Sequence, residues 1–247
     1  MIAPQSTLRS IALEEPATIR VFERLHLDYC CGGNRPLAVA CAQKGLDVDA
    51  VVASLTEAAN AVTPAASDFA EATLAQLIEH IVQTHHAYVR AELPRLLPMA
   101  ERVAHKHGPI HPEAGQIERQ LGQLADELLL HLHKEERILF PYIEAQERRR
   151  NGSEQIPEAC FGSVENPIRM MVHEHEAAGG LLEEMRAATD GFTPWEGACP
   201  TTVGLYDGLA AFERDLHRHV HLENNLLFPR AIAMDQELAA SHQATTA

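Results

Sequence analysis

Two stretches of the chain repeat one pattern, His131-Leu-His-Lys-Glu135-Glu-Arg-Ile-Leu-Phe-Pro141 and His219-Val-His-Leu-Glu223-Asn-Asn-Leu-Leu-Phe-Pro229. Each contains His-x-x-x-Glu, and residues four apart on a helix project from the same face. Such a pair offers a cation one imidazole nitrogen and one carboxylate. With His86 and His175 the set becomes four nitrogens and two carboxylates, which suits a pair of first-row metal ions. If both carboxylates are shared, each ion receives two imidazoles and two oxygens and keeps room for solvent or a small ligand. This mixed shell favours iron or manganese over a thiolate zinc site, with iron preferred. Four histidines disfavour calcium and magnesium.

These residues need helices that bring them to one height. Four amphipathic segments stand out, near 70–106, 113–149, 165–189 and 202–234. Their seams step by three and four: Ile78, Val82, His86, Val89, Leu93, Leu96 in the first; Ile117, Leu121, Leu124, Leu128, His131, Glu135, Ile138, Tyr142 in the second. The third reads Ile168, Val172, His175, Gly179, Leu182, Met185, and the fourth Leu205, Leu209, Phe212, Leu216, His219, Glu223, Leu226. Packed antiparallel helices show such seams. Polar groups interrupt each seam in mid-helix, where an unpaired carboxylate is costly unless it is paired or bound to metal. In an up-down-up-down bundle, two positions are level when the turn lies midway between them. The midpoints of successive histidines fall at Gly108-Pro109, at Ser153 beside Asn151-Gly152, and at Gly197 inside the Pro194–Pro200 break. All three are breaker-rich loops. The six residues therefore converge. His85 is the rival to His86, His133 and His221 fall on other helix faces, and Glu127 and Glu174 are candidates to orient ligands or line an entry path. Pro94 and Pro98 predict a kink or a loosened second half in the first helix.

The 247 residues allow one domain plus a small appendage. A net charge of −15 argues against a nucleic-acid surface, and Arg148-Arg149-Arg150 reads as a helix C-terminus meeting its dipole. No apolar run reaches a membrane span of about 20 residues, and no signal peptide opens the chain, so a cytoplasmic location is expected. Five cysteines, two of them adjacent, make a disulfide framework unlike this chain. The organisation read from the sequence is all-α: a small helical domain with Cys30-Cys31 at 1–62, a linker at 63–69 with Ser67 or Asp68 as helix cap, the four-helix bundle at 70–236, and a flexible tail at 237–247.

The paired motifs, the endings Glu-Arg-Ile-Leu-Phe-Pro and Glu-Asn-Asn-Leu-Leu-Phe-Pro-Arg, and Asp28-Tyr-Cys-Cys-Gly-Gly-Asn34 together resemble the "repair of iron centres" di-iron proteins, the YtfE/ScdA type, with a hemerythrin-like bundle. The likeness runs from about residue 8 to 233. It implies that His86, His131, Glu135, His175, His219 and Glu223 hold two iron ions bridged by the two carboxylates and an oxo group. Oxygen-carrying hemerythrins match less well, since they use five histidines and a late aspartate. The resemblance further implies repair of iron–sulfur clusters damaged by nitrosative or oxidative stress, through iron donation or nitric oxide processing. Damaged iron–sulfur proteins would be the clients and nitric oxide or dioxygen the small ligand; self-association as a homodimer is left open.

Two alternatives accompany this reading. One is a nitric oxide reductase-type di-iron enzyme, the other a module that binds or senses oxygen or nitric oxide. Repair itself is not conventional enzymatic turnover. Gly32-Gly33 beside Cys30 and Cys31 permits close backbone approach and a lowered thiol pKa, and the resemblance implies a redox, nitrosyl-transfer or iron-handling role for these two candidate redox thiols. Adjacent cysteines are not expected to chelate as a C-x-x-C pair does. Cys41, Cys160 and Cys199 read as structural or incidental.

Overall fold

The computed structural model describes residues 2–60, 69, 71–152 and 161–246, with side chains to Ser241. Four short helices come first: α1 (Leu8–Glu14), α2 (Ile19–Leu25), α3 (Leu37–Lys44) and α4 (Val48–Asn60). They close over their own apolar core, in which Phe22, Leu37, Cys41 and Leu55 are buried. Four long helices follow, three of them with a π-helical turn inside. Helix α5 runs through Leu74–His80, the π-turn Ile81–His86 and Ala87–His107. Helix α6 runs through Pro112–Lys134, the π-turn Glu135–Leu139 and Phe140–Arg150. Helix α7 is Glu165–Ala188, and α8 runs through Pro200–Leu222, the π-turn Glu223–Leu227 and Phe228–Thr246. Each packs on the next, and α8 packs back on α5, closing the bundle. Among the described residues none forms a strand, and no helix is long and apolar enough to cross a membrane.

Local chemistry sets the ends. Thr73 and Gln76 form a reciprocal capping box at α5, and the Glu147 carboxylate accepts from the Leu74 and Ala75 amides at 2.8 and 3.0 Å. The cap is thus Thr73; Ser67, Asp68 and nearly all of the expected linker lie outside the described residues. Pro112 and Pro200 stand in the first turns of α6 and α8, where no amide is needed, and Arg148–Arg150 end α6 as expected. Ser153 and Cys160 also fall outside the described residues. Pro94 and Pro98 do not end α5, which stays helical through both. Both are exposed, so the carbonyls that lose an amide partner lie on the solvent side of the helix. The last helix continues to Thr246, so residues 237–246, expected as a tail, are helical.

The π-turns correct the seams. A π-turn takes one residue more than an α-turn. The buried stripe of α6 therefore resumes at Leu139, Phe140 and Ile143, while Ile138 is 52% exposed and Tyr142 half-buried. In α8 Leu227 replaces Leu226, and in α5 Ile81 replaces Val82 at the start of the turn. The result is two apolar clusters stacked along the bundle axis. One holds Val89 to Leu132 with Ala178 to Val220; the other holds Leu74 to Ile81, Leu139 to Ile143, Val164 to Met171 and Leu227 to Met234. A polar layer separates them.

Candidate metal centre

That layer consists of the six converging residues. Their ligand atoms form two groups, His86, Glu135, His219, Glu223 and His131, Glu135, His175, Glu223, each with all atoms within 4.8 Å of one another. Both carboxylates belong to both groups. His131 and Glu135 approach at 3.3 Å, His219 and Glu223 at 3.0 Å, each one helical turn apart, and His175 reaches Glu223 at 3.0 Å across the bundle. His86 Nε2 lies 3.5 Å from Glu135 Oε2 and 3.2 Å from His219 Nε2, and His131 and His175 bring their Nε2 atoms to 3.0 Å. Each π-turn starts or ends on one of these residues: His86, Glu135 or Glu223.

The donor set fits a cation. His86, Glu135, His219 and Glu223 are 0% exposed, yet all four oxygens of Glu135 and Glu223 lack a hydrogen-bond donor among the described residues. Buried anions in that condition cost several kcal/mol or more unless a positive charge meets them. Facing Nε2 atoms pose the same problem, because only one of each pair can donate to the other. Electrostatics agree. Burial alone would push the Glu223 carboxyl up, but His219, His175 and His86 outweigh it and hold it well below the usual range. Burial would likewise lower the His131 imidazole, but Glu135 and Glu174 overcome it and raise its pKa to about 10. His86 is raised in the same way by Glu223 and Glu135, whereas burial prevails at His219 and lowers it. These imidazoles compete for the same two carboxylates, which favour positive charge at His86 and His131 while burial keeps His219 neutral.

The outer nitrogens follow the internal repeat. The residue after each bundle glutamate reaches across to the neighbouring helix: Glu136 accepts from His86 Nδ1 at 2.7 Å, and Asn224 Oδ1 from His175 Nδ1 at 3.0 Å. The residue before each single histidine faces the other pair. Glu174 accepts from His131 Nδ1 at 2.8 Å, while His85, in the equivalent place, stacks its ring on His219 at 5.8 Å and meets Asp215 at 3.0 Å. His219 Nδ1 accordingly has no hydrogen-bond partner among the described residues. The other three imidazoles have their Nε2 edges turned inward by these bonds. Glu174 is thus where the sequence puts it, with its pKa held at about 2 by the hydrogen bond from His131 and then by Lys134. Glu127 is not. It is exposed and accepts from Gln123 on its own helix. Glu136 and Asn224 escaped a face argument, since each is one position off the seam. Aligning the two repeats on their glutamates and comparing the next residue in each would have found them.

The small domain docks on this half of the bundle. Arg218 pairs with Glu23 at 2.7 Å, Asn225 Nδ2 donates to the Tyr29 carbonyl at 3.2 Å, and the Tyr29 ring lies 5.3 Å from that of His221. Cys30 and Cys31 sit at this junction. Cys30 is buried in the bundle core, and the hydrogen-bonded Cys31 sulfur, then burial, push its thiol well above the ordinary value. The expected activation of Cys30 is therefore not found. Cys199 carries the low value instead: hydrogen bonds from Thr202 at the start of α8 bring it to about 6. Cys41 is buried in the small domain's core.

Comparison with known proteins agrees with this division. Residues 77–231 match the family model of the hemerythrin HHE cation binding domain, and residues 4–59 match the ScdA N-terminal domain, a domain of unknown function (DUF542). The iron-sulfur cluster repair protein YtfE of Pectobacterium carotovorum is 38% identical over 226 residues, 92% of this chain and 96% of the relative. The proteins of that name from Escherichia coli O81 and Yersinia pseudotuberculosis are each 38% identical over the same shares. The chain belongs to the YtfE family, and its bundle is a hemerythrin-type cation-binding domain.

Proposed function

We propose that this protein repairs iron–sulfur clusters damaged by nitric oxide or oxidants, and that two irons in the polar layer serve that repair. The observation that carries the reading is the pair of overlapping groups with shared, wholly buried carboxylates, in a chain similar along 92% of its length to proteins named for cluster repair. One iron would be held by His86 and His219, the other by His131 and His175, with Glu135 and Glu223 common to both. Bound there, iron supplies an exchangeable, redox-active cation with positions free for a small ligand. Glu136, Glu174 and Asn224 hold three of the imidazoles in the tautomer that presents Nε2 to the cation. The apolar clusters above and below exclude water from the layer, which strengthens every charge interaction inside it. Glu135 and Glu223, common to both groups, would offer a carboxylate to either cation position.

The test is recovery of a nitric-oxide-damaged cluster enzyme. The iron-loaded protein restores its activity, while the metal-free protein and Glu223→Leu, checked for helicity, do so poorly. Equal recovery with metal-free protein rejects the reading. Nitrous oxide formed over many turnovers by the reduced protein, with no client present, would replace it with a nitric oxide reductase.

A further inference from the structure

The motif Asp28-Tyr-Cys-Cys-Gly-Gly33 builds a loop that the bundle centre does not use. Asp28 Oδ1 accepts from the Cys30 and Cys31 amides at 3.2 and 2.9 Å, and Oδ2 from the Gly32 amide at 2.8 Å. The glycines make this wrap feasible. A β-carbon on Gly32 would stand 2.8 Å from Asp28 Oδ2, and one on Gly33 would stand 2.6 Å from the Tyr29 carbonyl oxygen. So folded, the loop gathers its three donor groups: Cys30 and Cys31 Sγ lie 3.9 Å apart, and Cys30 Sγ lies 3.3 Å from Asp28 Oδ1.

Those spacings come within about 0.3 Å of what a tetrahedral cation requires. With metal–sulfur bonds of about 2.3 Å, two thiolates on a tetrahedron stand about 3.8 Å apart, and a thiolate and a carboxylate oxygen about 3.6 Å apart. The expectation that adjacent cysteines do not chelate fails here, because the Asp28 wrap turns both sulfurs the same way. A disulfide is the poorer outcome for the pair. Neighbouring α-carbons are held about 3.8 Å apart by a trans peptide, short of the usual disulfide span of roughly 4.4–6.8 Å. Both thiols are free.

We propose that Asp28, Cys30 and Cys31 form a second cation site, which takes a borderline divalent ion of the ferrous-iron or zinc kind. The three groups, with all donor atoms within 4.8 Å of one another, open on a cavity of about 720 Å³ between the small domain and the bundle. That cavity leaves a fourth, exchangeable position, and its wall carries Arg24, Arg35 and Arg214 together with Glu176 and Glu183. Binding replaces two S–H bonds with two metal–sulfur bonds. Two protons pass to the buffer, and no electron changes hands. The site lies close to the bundle centre. Cys31 Sγ is 3.9 Å from where a β-carbon on Gly179 would stand, one helical turn along α7 from His175. Binding of this ion does not depend on the repair reading, since it requires only the three side chains and the cavity.

Cobalt(II) added to the iron-loaded full chain, without oxygen and in a Cys199→Ser background, tests it. One equivalent binds beyond the iron, with a near-ultraviolet sulfur-to-cobalt absorption and release of two protons per ion. Cys30→Ser and Cys31→Ser each lose that absorption while keeping the iron content and helicity of the parent. Asp28→Asn binds at least about tenfold more weakly, since even a partner one shell removed from a metal is worth that much. Absence of the band in the parent overturns the proposal, as does a band that survives either serine substitution.

Discussion

The acceptors behind the imidazoles make the centre's affinity measurable side chain by side chain. Glu174 accepts from His131 Nδ1 at 2.8 Å and is 28% exposed, so its replacement disturbs the buried layer little. Glu174→Gln keeps an acceptor but removes the charge that makes His131 a stronger donor. Glu174→Leu removes the acceptor as well and frees the imidazole to rotate. Loss of such a partner costs about 10–100-fold in metal affinity, or about 1.4–2.8 kcal/mol. The glutamine variant belongs at the lower end and the leucine variant at the upper. Glu136 stands in the same relation to His86 at 2.7 Å, so Glu136→Gln and Glu136→Leu repeat the series at the other group. Glu127→Gln is the control, since Glu127 is exposed and accepts from Gln123 on its own helix. The assay is iron retention against a competing chelator at pH 7, with thermal unfolding to confirm that the fold is intact. A Glu174→Leu affinity within twofold of the parent, or a Glu127→Gln loss as large as that of Glu174→Leu, would refute the orienting role.

The packing sets other outcomes. Deleting Ile138, the exposed surplus residue of the α6 π-turn, lets the helix run as regular α while Leu139, Phe140 and Ile143 keep their places in the core. The unfolding temperature should hold or rise while iron affinity drops at least about tenfold, because Glu135 and Glu136 lose their set; a collapse of the unfolding temperature would show that the π-turn serves packing. Burial, with a smaller contribution from Arg9, lowers the His221 pKa to about 4, so the native imidazole stays neutral when the unfolded one, near 6.5, takes a proton. Stability of the metal-free protein should therefore fall as pH drops from 6.5 to 4, by at most about 3 kcal/mol on this account. Denaturant titrations should find that fall smaller in His221→Gln, and an equal fall would contradict the assignment. Gly33→Ala puts a β-carbon 2.6 Å from the Tyr29 carbonyl oxygen and should destabilise the small domain by about 1–3 kcal/mol, read from amide exchange across α1 to α4.

Much of this protein is local, and local information is legible in a chain read alone. The three–four seams with Thr, Pro and Gly punctuation determined four bundle helices whose ends lie within a few residues of those expected, except where α8 continues to Thr246. The polar break in each seam determined which six side chains share a layer, because a helix rises by a fixed step and the loops fall midway between histidines. Tertiary structure decided what depends on neighbours. A π-turn adds one residue to a turn without changing which residue types fill it, so the phase slips at Ile81–His86, Glu135–Leu139 and Glu223–Leu227 were not read from the periodicity of a single segment. Glu136 and Asn224 sit one position off the seam and matter only because an adjoining helix brings an imidazole to them. The Cys30–Cys31 pair likewise gained its meaning from the Asp28 wrap and the bundle beneath it, through contacts that span the chain from Tyr29 to Asn225. A sequence records which groups are present and how they repeat along one axis; distances between axes exist only after the helices have packed.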